Sequence, residues 1–295
     1  MAKYVPDIMS RRWVIISSNR ADRPDDTIVG DHCYLCPFCP GNEYMTSSEV
    51  YRVGEGKPNS KGWEVRVIPN KYPITDYHEV IIHSPDDKKD LHDLSTEHLK
   101  KVFETYRQRY NFHRKTGQVI IFCNRGDRAG ASIRHPHSQL VVIPSQINLD
   151  SLHKEPISNL VEENQYFDIY CPDFSQWPYE VWIAPKEKET LFGDITDDQI
   201  DCLVEIYQRL MKRLKDVYER EYKCVDGFSY NFYIHPKEDW YIRIIPRFVH
   251  RAGFELGTGL SVNVTDPADA ASALRNKTEE IDRLMDKLRE LKEEK

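Results

Sequence analysis

No apolar run in this sequence is long enough to cross a membrane, and Met1 to Ser10 lacks the apolar core of a signal peptide. Positive charge is also in short supply. Lys and Arg number 41 against 48 Asp and Glu, for a net charge of −7. A general nucleic-acid binder is more often basic, and no stretch interleaves basic and aromatic side chains as an RNA platform would. Cysteines number only seven, yet three fall together in "CYLCPFC" at Cys33, Cys36 and Cys39. In a reducing compartment such bunching points to a metal more than to disulfides. These shortages together describe a cytoplasmic protein with neither a membrane nor a nucleic-acid partner. What is present is ordinary for a globular chain: 30% charged and 40% hydrophobic residues. A length of 295 residues suits two domains or one duplicated fold.

Two stretches resemble each other. One begins at His78 with "HEVIIHSPDDKKDLHDLSTEHLKKVFETYRQRY", the other at Tyr179 with "YEVWIAPKEKETLFGDITDDQIDCLVEIYQRLMKRL". Each opens on a β-rich run closed by proline, then a charged turn, then an amphipathic helix. The apolar positions are three and four apart: Leu99, Val102, Phe103 and Tyr106 in one, Leu203, Ile206, Tyr207 and Leu210 in the other. A β-rich segment follows each helix ("QVIIFCN", "FSYNFYI"), and each half closes on an apolar strand ending in proline ("LVVIP", "IRIIP"). The pattern predicts an α+β fold made of a duplicated unit, residues 1–150 and 151–295, with antiparallel sheets packed against long helices. Aligning the closing strands on Pro144 and Pro246 sets His137 opposite Asp239 and Gln139 opposite Tyr241, so the second copy has lost the histidines. From about Pro267 the tail reads as a charged helix with Leu274, Ile281, Leu284, Leu288 and Leu291 near one face, the pattern of a docked surface helix.

The chemistry concentrates in "RHPHSQLVVIP", Arg134 to Pro144. Side chains alternate along a strand, so His135, His137 and Gln139 share one face. A lone His-x-His describes many surface pairs. Here "NRGDRAGAS" (Asn124 to Ser132) lies just upstream, with glycines and small residues that let backbone approach a ligand and backbone amides that can hold phosphate oxygens. A neutral imidazole beside a phosphate site is a nucleophile toward phosphorus.

"NRGDRAGASIRHPHSQ" resembles the active-site segment of the galactose-1-phosphate uridylyltransferases, the transferase branch of the histidine triad superfamily. Further matches run along most of the chain: "RRWVIISSNRADRP" (Arg11 to Pro24), the knuckle "CPFCPGNE" (Cys36 to Glu43), "IPNKYP" (Ile68 to Pro73) and "AGFELGTG" (Ala252 to Gly259). The resemblance implies that His137 is the nucleophile that takes a nucleoside monophosphate. Gln139 stands where the hydrolase branch has a third histidine; an amide donates a hydrogen bond to a phosphoryl oxygen but carries no proton to or from water at neutral pH. Asn124 and Ser132 match residues around the phosphates, and Gly130 gives the loop its close approach. Arg20 and Arg23 match cationic contacts to a diphosphate, Asn70 one that orients base or ribose, and Glu255 one that accepts sugar hydroxyls. Phe254 beside it reads equally well as an aromatic packed in a strand.

Cys36 and Cys39 have the spacing that lets two thiolates reach one zinc. The resemblance adds His135 and a fourth ligand in the segment after a Ser-Pro step. The usual histidine there is replaced by Asp87 in "HSPDDKKD", with His83 and Cys33 as alternatives. One structural zinc per chain would brace the strand that carries His137. A second metal found in some members is not expected, because "WYIRIIP" lacks the histidine pair, although His235 is a possible leftover of that site.

The resemblance thus implies transfer of UMP from UDP-glucose to galactose 1-phosphate through a uridylyl-histidine, acting on a nucleotide sugar and a hexose 1-phosphate, in a homodimer with shared sites. The alternatives are phosphorolysis of ADP-glucose or of dinucleoside polyphosphates by the same histidine, or an idle nucleotide-sugar-binding protein. Intact His137 and Gln139 speak against the last.

Overall fold

The computed structural model of the protein describes residues 2–7, 12–23, 35–149, 152–222 and 227–275. A hairpin of β1 (Lys3–Asp7) and β2 (Arg12–Ile16) forms a separate two-stranded sheet. The first half then supplies β3 (Tyr51–Gly54), β4 (Trp63–Pro69), β5 (His78–Ile82), helix α1 (Thr96–His113), β6 (Gln118–Arg125) and β7 (His137–Ile143). The second supplies β8 (Leu160–Glu163), β9 (Phe167–Tyr170), β10 (Val181–Pro185), helix α2 (Asp197–Tyr222), β11 (Tyr230–Ile234) and β12 (Ile242–Pro246). Two short helices follow, α3 (Gly253–Thr258) and α4 (Pro267–Leu274).

The fold is α+β and duplicated, with one difference from the sequence expectation. The two sheets are joined into a single ten-stranded antiparallel sheet of order β3-β4-β5-β7-β6-β11-β12-β10-β9-β8. Read inward from either edge, the strands follow the same order. The join is made by β6 and β11, from Arg125 opposite Tyr230 to Ile121 opposite Ile234. Unpaired strand edges are costly to leave exposed, and fusing the halves removes one edge from each.

Both long helices lie on the same face of the sheet. α1 begins where Ser95 Oγ accepts the His98 N–H at 3.2 Å, with Glu97 in its first turn. Its apolar stripe, Leu99, Val102 and Phe103, meets Leu203, Ile206 and Tyr207 of α2 over Ile121, Leu140 and Val142 of one half and Phe232, Ile242 and Ile244 of the other. Each of these side chains is essentially shut off from water, and a fully buried residue of this size contributes about 1.5–3 kcal/mol. The alternation along β7 and β12 sends the remaining side chains to the opposite face. There the halves part company: Phe38, Trp63, Ile68, Val80 and Ile82 cluster in the first, and Tyr170, Trp182, Ala184 and Tyr241 in the second.

At the C-terminal side, Asp266 caps α4 by accepting the Ala268 N–H at 2.8 Å, and Ala270, Ala271 and Leu274 are buried. The expected tail positions Ile281, Leu284, Leu288 and Leu291 lie outside the described residues. Among the described residues no helix is long and apolar enough to cross a membrane.

Candidate active site

Strand β7 is held between β5 and β6, with Gln139 opposite Val80 on one side and Phe122 on the other. This fixes which way its side chains point. His137 and Gln139 face a cavity of about 320 Å³, also lined by Arg23, Phe38, Asn70, Tyr72 and Ser132. Its floor is mostly apolar, from Ile68, Val80 and Ile133, which suits a flat heterocycle with a few polar anchors.

The tautomer of His137 follows from its partners. Its Nδ1 lies 2.8 Å from the His135 carbonyl, so Nδ1 carries the proton and donates. Nε2 then holds the lone pair and has no protein partner among the described residues. Burial drives the pKa of His137 down to about 4; the hydrogen bond to His135 opposes this, and Arg125 and Arg23 reinforce it. The ring is neutral at pH 7. Phe38 supports it edge-on, with centroids 5.3 Å apart.

Gln139 is also oriented. Its Oε1 accepts from His78 Nε2 at 3.0 Å. His78 can donate there because its Nδ1 accepts the Ile74 N–H at 2.9 Å. Asn70 turns the same way, its Oδ1 accepting the Tyr72 N–H at 2.8 Å. Arg20 donates to the Tyr72 carbonyl at 3.0 Å, and burial followed by the charge of Arg23 lowers its pKa. His78 is the participant that sequence reasoning missed. Its position at the head of β5 was visible, but its reach to Gln139 depends on the pairing of β5 with β7.

The loop from β6 to β7 is set by its glycines. Gly126 has φ +82°, and a Cβ there would lie 2.2 Å from Ser229 Oγ. Gly130 has φ +76° with open space around it. Arg125 at the loop's start pairs with buried Asp90 at 3.3 Å, and Asp90 also accepts from Tyr230 at 3.0 Å. Ser132 reaches the cavity wall. Asn124 does not line the cavity, and its Oδ1 accepts from Asn231 Nδ2 at 2.8 Å.

The strand begins at His137, so His135 precedes it instead of sharing its pleat. Its ring turns to the cysteines: Nδ1 is 3.5 Å from Cys36 Sγ and 3.6 Å from Cys39 Sγ. Nε2 lies 2.8 Å from the Ser84 carbonyl and donates to it, which leaves the Nδ1 lone pair facing the sulfurs. These three ligand atoms lie within 4.8 Å of one another, a set that could hold one metal ion. Burial pushes the Cys36 thiol up to about 12, so a thiolate at Cys36 calls for a cation beside it. Asp87 is not part of the three-residue group, although its charge acts on the His135 ring. His83 is not part of it either. Its Nε2 is engaged by Ser138 Oγ at 2.8 Å and Tyr106 OH at 3.0 Å. Cys33 lies outside the described residues.

Glu255 departs furthest from expectation. It sits on exposed α3, its Oε2 accepts the Ala252 N–H at 3.0 Å, and it does not line the cavity. Phe254 is on the same helix and 55% exposed, so it is neither in a strand nor in a core. Gly259 at φ +74° ends this helix, its N–H donating to the Glu255 carbonyl. Around α3, Leu256, Leu260, Val262 and Val264 are exposed as well.

Comparison with known proteins agrees with this geometry. Residues 74–143 match the family described as galactose-1-phosphate uridyl transferase, N-terminal domain. The chain is 27% identical to ADP-glucose phosphorylase of Arabidopsis thaliana, over 91% of each chain. It is 23% identical to galactose-1-phosphate uridylyltransferase of Thermotoga maritima, over 95% of this chain and 99% of the other. The crystal structure of the Arabidopsis thaliana ADP-glucose phosphorylase with bound ADP-glucose superposes with a TM-score of 0.72 at 25% identity, covering 94% of this chain and 98% of that one. Fold and relatives define a histidine nucleotidyltransferase, an enzyme of the uridylyltransferase type. Over most of its length the chain is similar to galactose-1-phosphate uridylyltransferases, and residues 74–143 match that family's N-terminal domain.

Proposed function

We propose that the protein moves a nucleoside monophosphate from a nucleoside diphosphate hexose to a second phosphate compound through a covalent adduct on His137. The observation that carries this reading is the neutral, buried imidazole whose Nδ1–H is tied to the His135 carbonyl, leaving the Nε2 lone pair for the cavity. Nε2 attacks the α-phosphorus. The bond from that phosphorus to the bridging oxygen breaks, and hexose 1-phosphate leaves. A phosphate oxygen of the acceptor then attacks the same phosphorus, the N–P bond breaks, and the imidazole is restored. Gln139 donates to a phosphoryl oxygen in both steps but offers water no proton shuttle. Arg20 and Arg23 balance the diphosphate charge, Ser132, Asn124 and Gly130 shape the phosphate loop, and Asn70 anchors the nucleoside.

In the first reading the donor is UDP-glucose and the acceptor galactose 1-phosphate. The second is phosphorolysis of ADP-glucose, and the Arabidopsis thaliana relative favours it. A zinc ion held by Cys36, Cys39, His135 and Asp87 would supply structural bracing of the segment that leads into β7. The exposed apolar stretch around α3 suits a homodimer in which Glu255 serves the partner's site, which accounts for its distance from the cavity of its own chain. The thiol cluster suits a reducing, cytoplasmic setting.

Incubation with UDP-glucose or ADP-glucose alone should add one nucleoside monophosphate mass to the peptide holding His137, and His137→Ala should abolish both adduct and turnover. Turnover by that variant would overturn the reading. Catalytic efficiency with each substrate pair decides between the two donors, a tenfold preference corresponding to ~1.4 kcal/mol in the transition state.

A further inference from the structure

We infer that His78 is a positioning residue for group transfer: it fixes the amide of Gln139 so that the NH2, not the carbonyl oxygen, faces the phosphoryl group at His137. The inference rests on the reading that His137 carries the nucleotidyl adduct.

An amide side chain can flip end for end, and its two ends are opposite in hydrogen-bonding sense. Beside a phosphoryl group only the donor end is useful; the oxygen end would set a lone pair against negative charge. Something must therefore select the orientation. The selection starts at the backbone. The Ile74 N–H donates to His78 Nδ1 at 2.9 Å, so that nitrogen cannot carry a proton. The neutral ring then has its only proton on Nε2, which lies 3.0 Å from Gln139 Oε1 and donates to it. The Gln139 oxygen is consumed, and its NH2 is turned away from His78. His78 is buried, with 4% of its surface exposed, so water does not substitute for it. Burial also holds its pKa near 4, with Arg20 and His137 adding to the effect, so the ring stays neutral where the enzyme works. Asn70 Nδ2 lies 3.2 Å from His78 Nε2. Both are donors once Asn70 Oδ1 is bound to the Tyr72 N–H, so this contact does not compete for the Nε2 proton.

The amide series separates the two ring nitrogens. In His78→Gln a side-chain N–H stands near the place of Nε2 and can still donate to Gln139. In His78→Asn an acceptor stands near the place of Nδ1, which keeps the Ile74 turn but removes the donor. His78→Asn is expected to lose about 10²–10³-fold in kcat, the scale of one preorganised donor, with KM for the nucleotide sugar changed by less than about threefold. His78→Gln should recover to within about tenfold of the parent. Circular dichroism and thermal unfolding of both variants test folding. If His78→Asn is folded and turns over like the parent, or if His78→Gln is as impaired as His78→Asn while folded, the positioning role is wrong. Should both variants unfold, Gln139→Met in the parent decides: the inference requires the kcat loss to appear there as well, and a parent-like kcat overturns it. Adduct formation on the parent enzyme is measured in the same series, and its absence would instead overturn the nucleotidyl-histidine reading.

Discussion

Strands β5 and β7 in the first half and β10 and β12 in the second occupy matching places in one sheet, but the faces they turn away from the helices are built differently. In the first half that face carries polar groups with one end fixed and the other free: His137 with its Nε2, Gln139 with its NH2. In the second half the polar groups satisfy each other. Arg243 donates to both oxygens of Glu180, from Nε and from Nη2, each at 2.8 Å. Trp182 Nε1 donates to the same carboxylate at 2.8 Å. Trp182 stacks on Tyr241 with centroids 4.0 Å apart, and His235 also stacks on Tyr241, at 4.7 Å. One copy of the unit leaves donors and a lone pair unspent and keeps a cavity. The other spends them on a closed network of Glu180, Arg243 and Trp182, and the cavity beside it, about 700 Å³, is lined by Tyr241, His235 and charged side chains such as Lys154 and Asp239. Unspent buried polar groups cost stability, so they persist where a ligand is to supply the partner.

The largest way to break this comparison is to open the closed network. Glu180 is fully buried and Arg243 nearly so. Glu180→Ala leaves a guanidinium without its counter-ion, and the expected loss is about 3–5 kcal/mol of unfolding free energy. Replacing both, Glu180→Leu with Arg243→Met, should recover most of that loss and lie within about 3 kcal/mol of the parent, because the desolvation penalty of both ions is removed with their attraction and the unpaired Trp182 N–H is the residual cost. Urea titration measures both. A single variant as stable as the parent would show that the pair is not the organising feature of this face. Adduct formation per folded molecule should be unchanged in the double variant, since neither residue lines the cavity.

Acid sharpens the comparison next, because both halves bury an imidazole. Burial lowers His137 and His78 in the first half and His235 in the second to about 4 from an ordinary 6.5. The folded state then binds fewer protons than the unfolded one between these values. The contribution to stability is complete above about pH 6.5 and is lost as pH falls toward 4, on the order of 2–3 kcal/mol for each ring. His235→Phe should shrink the loss measured between pH 7 and pH 4.5 by one ring's share, on the order of 2 kcal/mol, and leave adduct formation intact. Activity should outlast the ordinary histidine range: the His137 adduct should still form at about pH 5.5 and fail as pH passes through about 4. An activity loss centred near pH 6.5 would contradict the buried, neutral ring.

Much of this was legible in the sequence for reasons that are local. Helix spacing of Leu99, Val102 and Phe103 needs only a few turns of chain, and the Cys36–Cys39 spacing is a property of four residues. "HPHSQ" combines a chemistry with a strand period that holds for His137 and Gln139 but not for His135, which precedes the strand. What escaped depends on pairing across distance. His78 meets Gln139 only because β5 and β7 pair in one register, 61 residues apart. Glu180 and Arg243 are 63 residues apart and looked like any two charges. The fusion of two sheets is decided by β6 and β11, whose sequences name no partner. Phe254 read equally well as an aromatic packed in a strand; the Glu255 carboxylate instead accepts from the Ala252 N–H and starts a short exposed helix.

The remaining difference between the halves is the three-residue cluster at Cys36, Cys39 and His135, which has no counterpart in the second half among the described residues. Asp87 is the expected fourth ligand, yet its carboxylate stands outside the cluster. To serve as a ligand it would have to close in on the ion rather than wait in place. A ligand of that kind contributes less than one already aimed, and water can take its position when it is removed. Asp87→Ala should still bind about one zinc per chain, with affinity lowered roughly 10–100-fold, the effect of losing a group that tunes a site rather than forms it. Cys36→Ala should lose the ion altogether. His83→Asn should leave affinity unchanged, because His83 Nε2 is committed to Ser138 and Tyr106. Competition with a chromophoric chelator measures all three. Unchanged affinity in Asp87→Ala would remove Asp87 from the site, and a loss in His83→Asn as complete as in Cys36→Ala would move the fourth position to the strand before it.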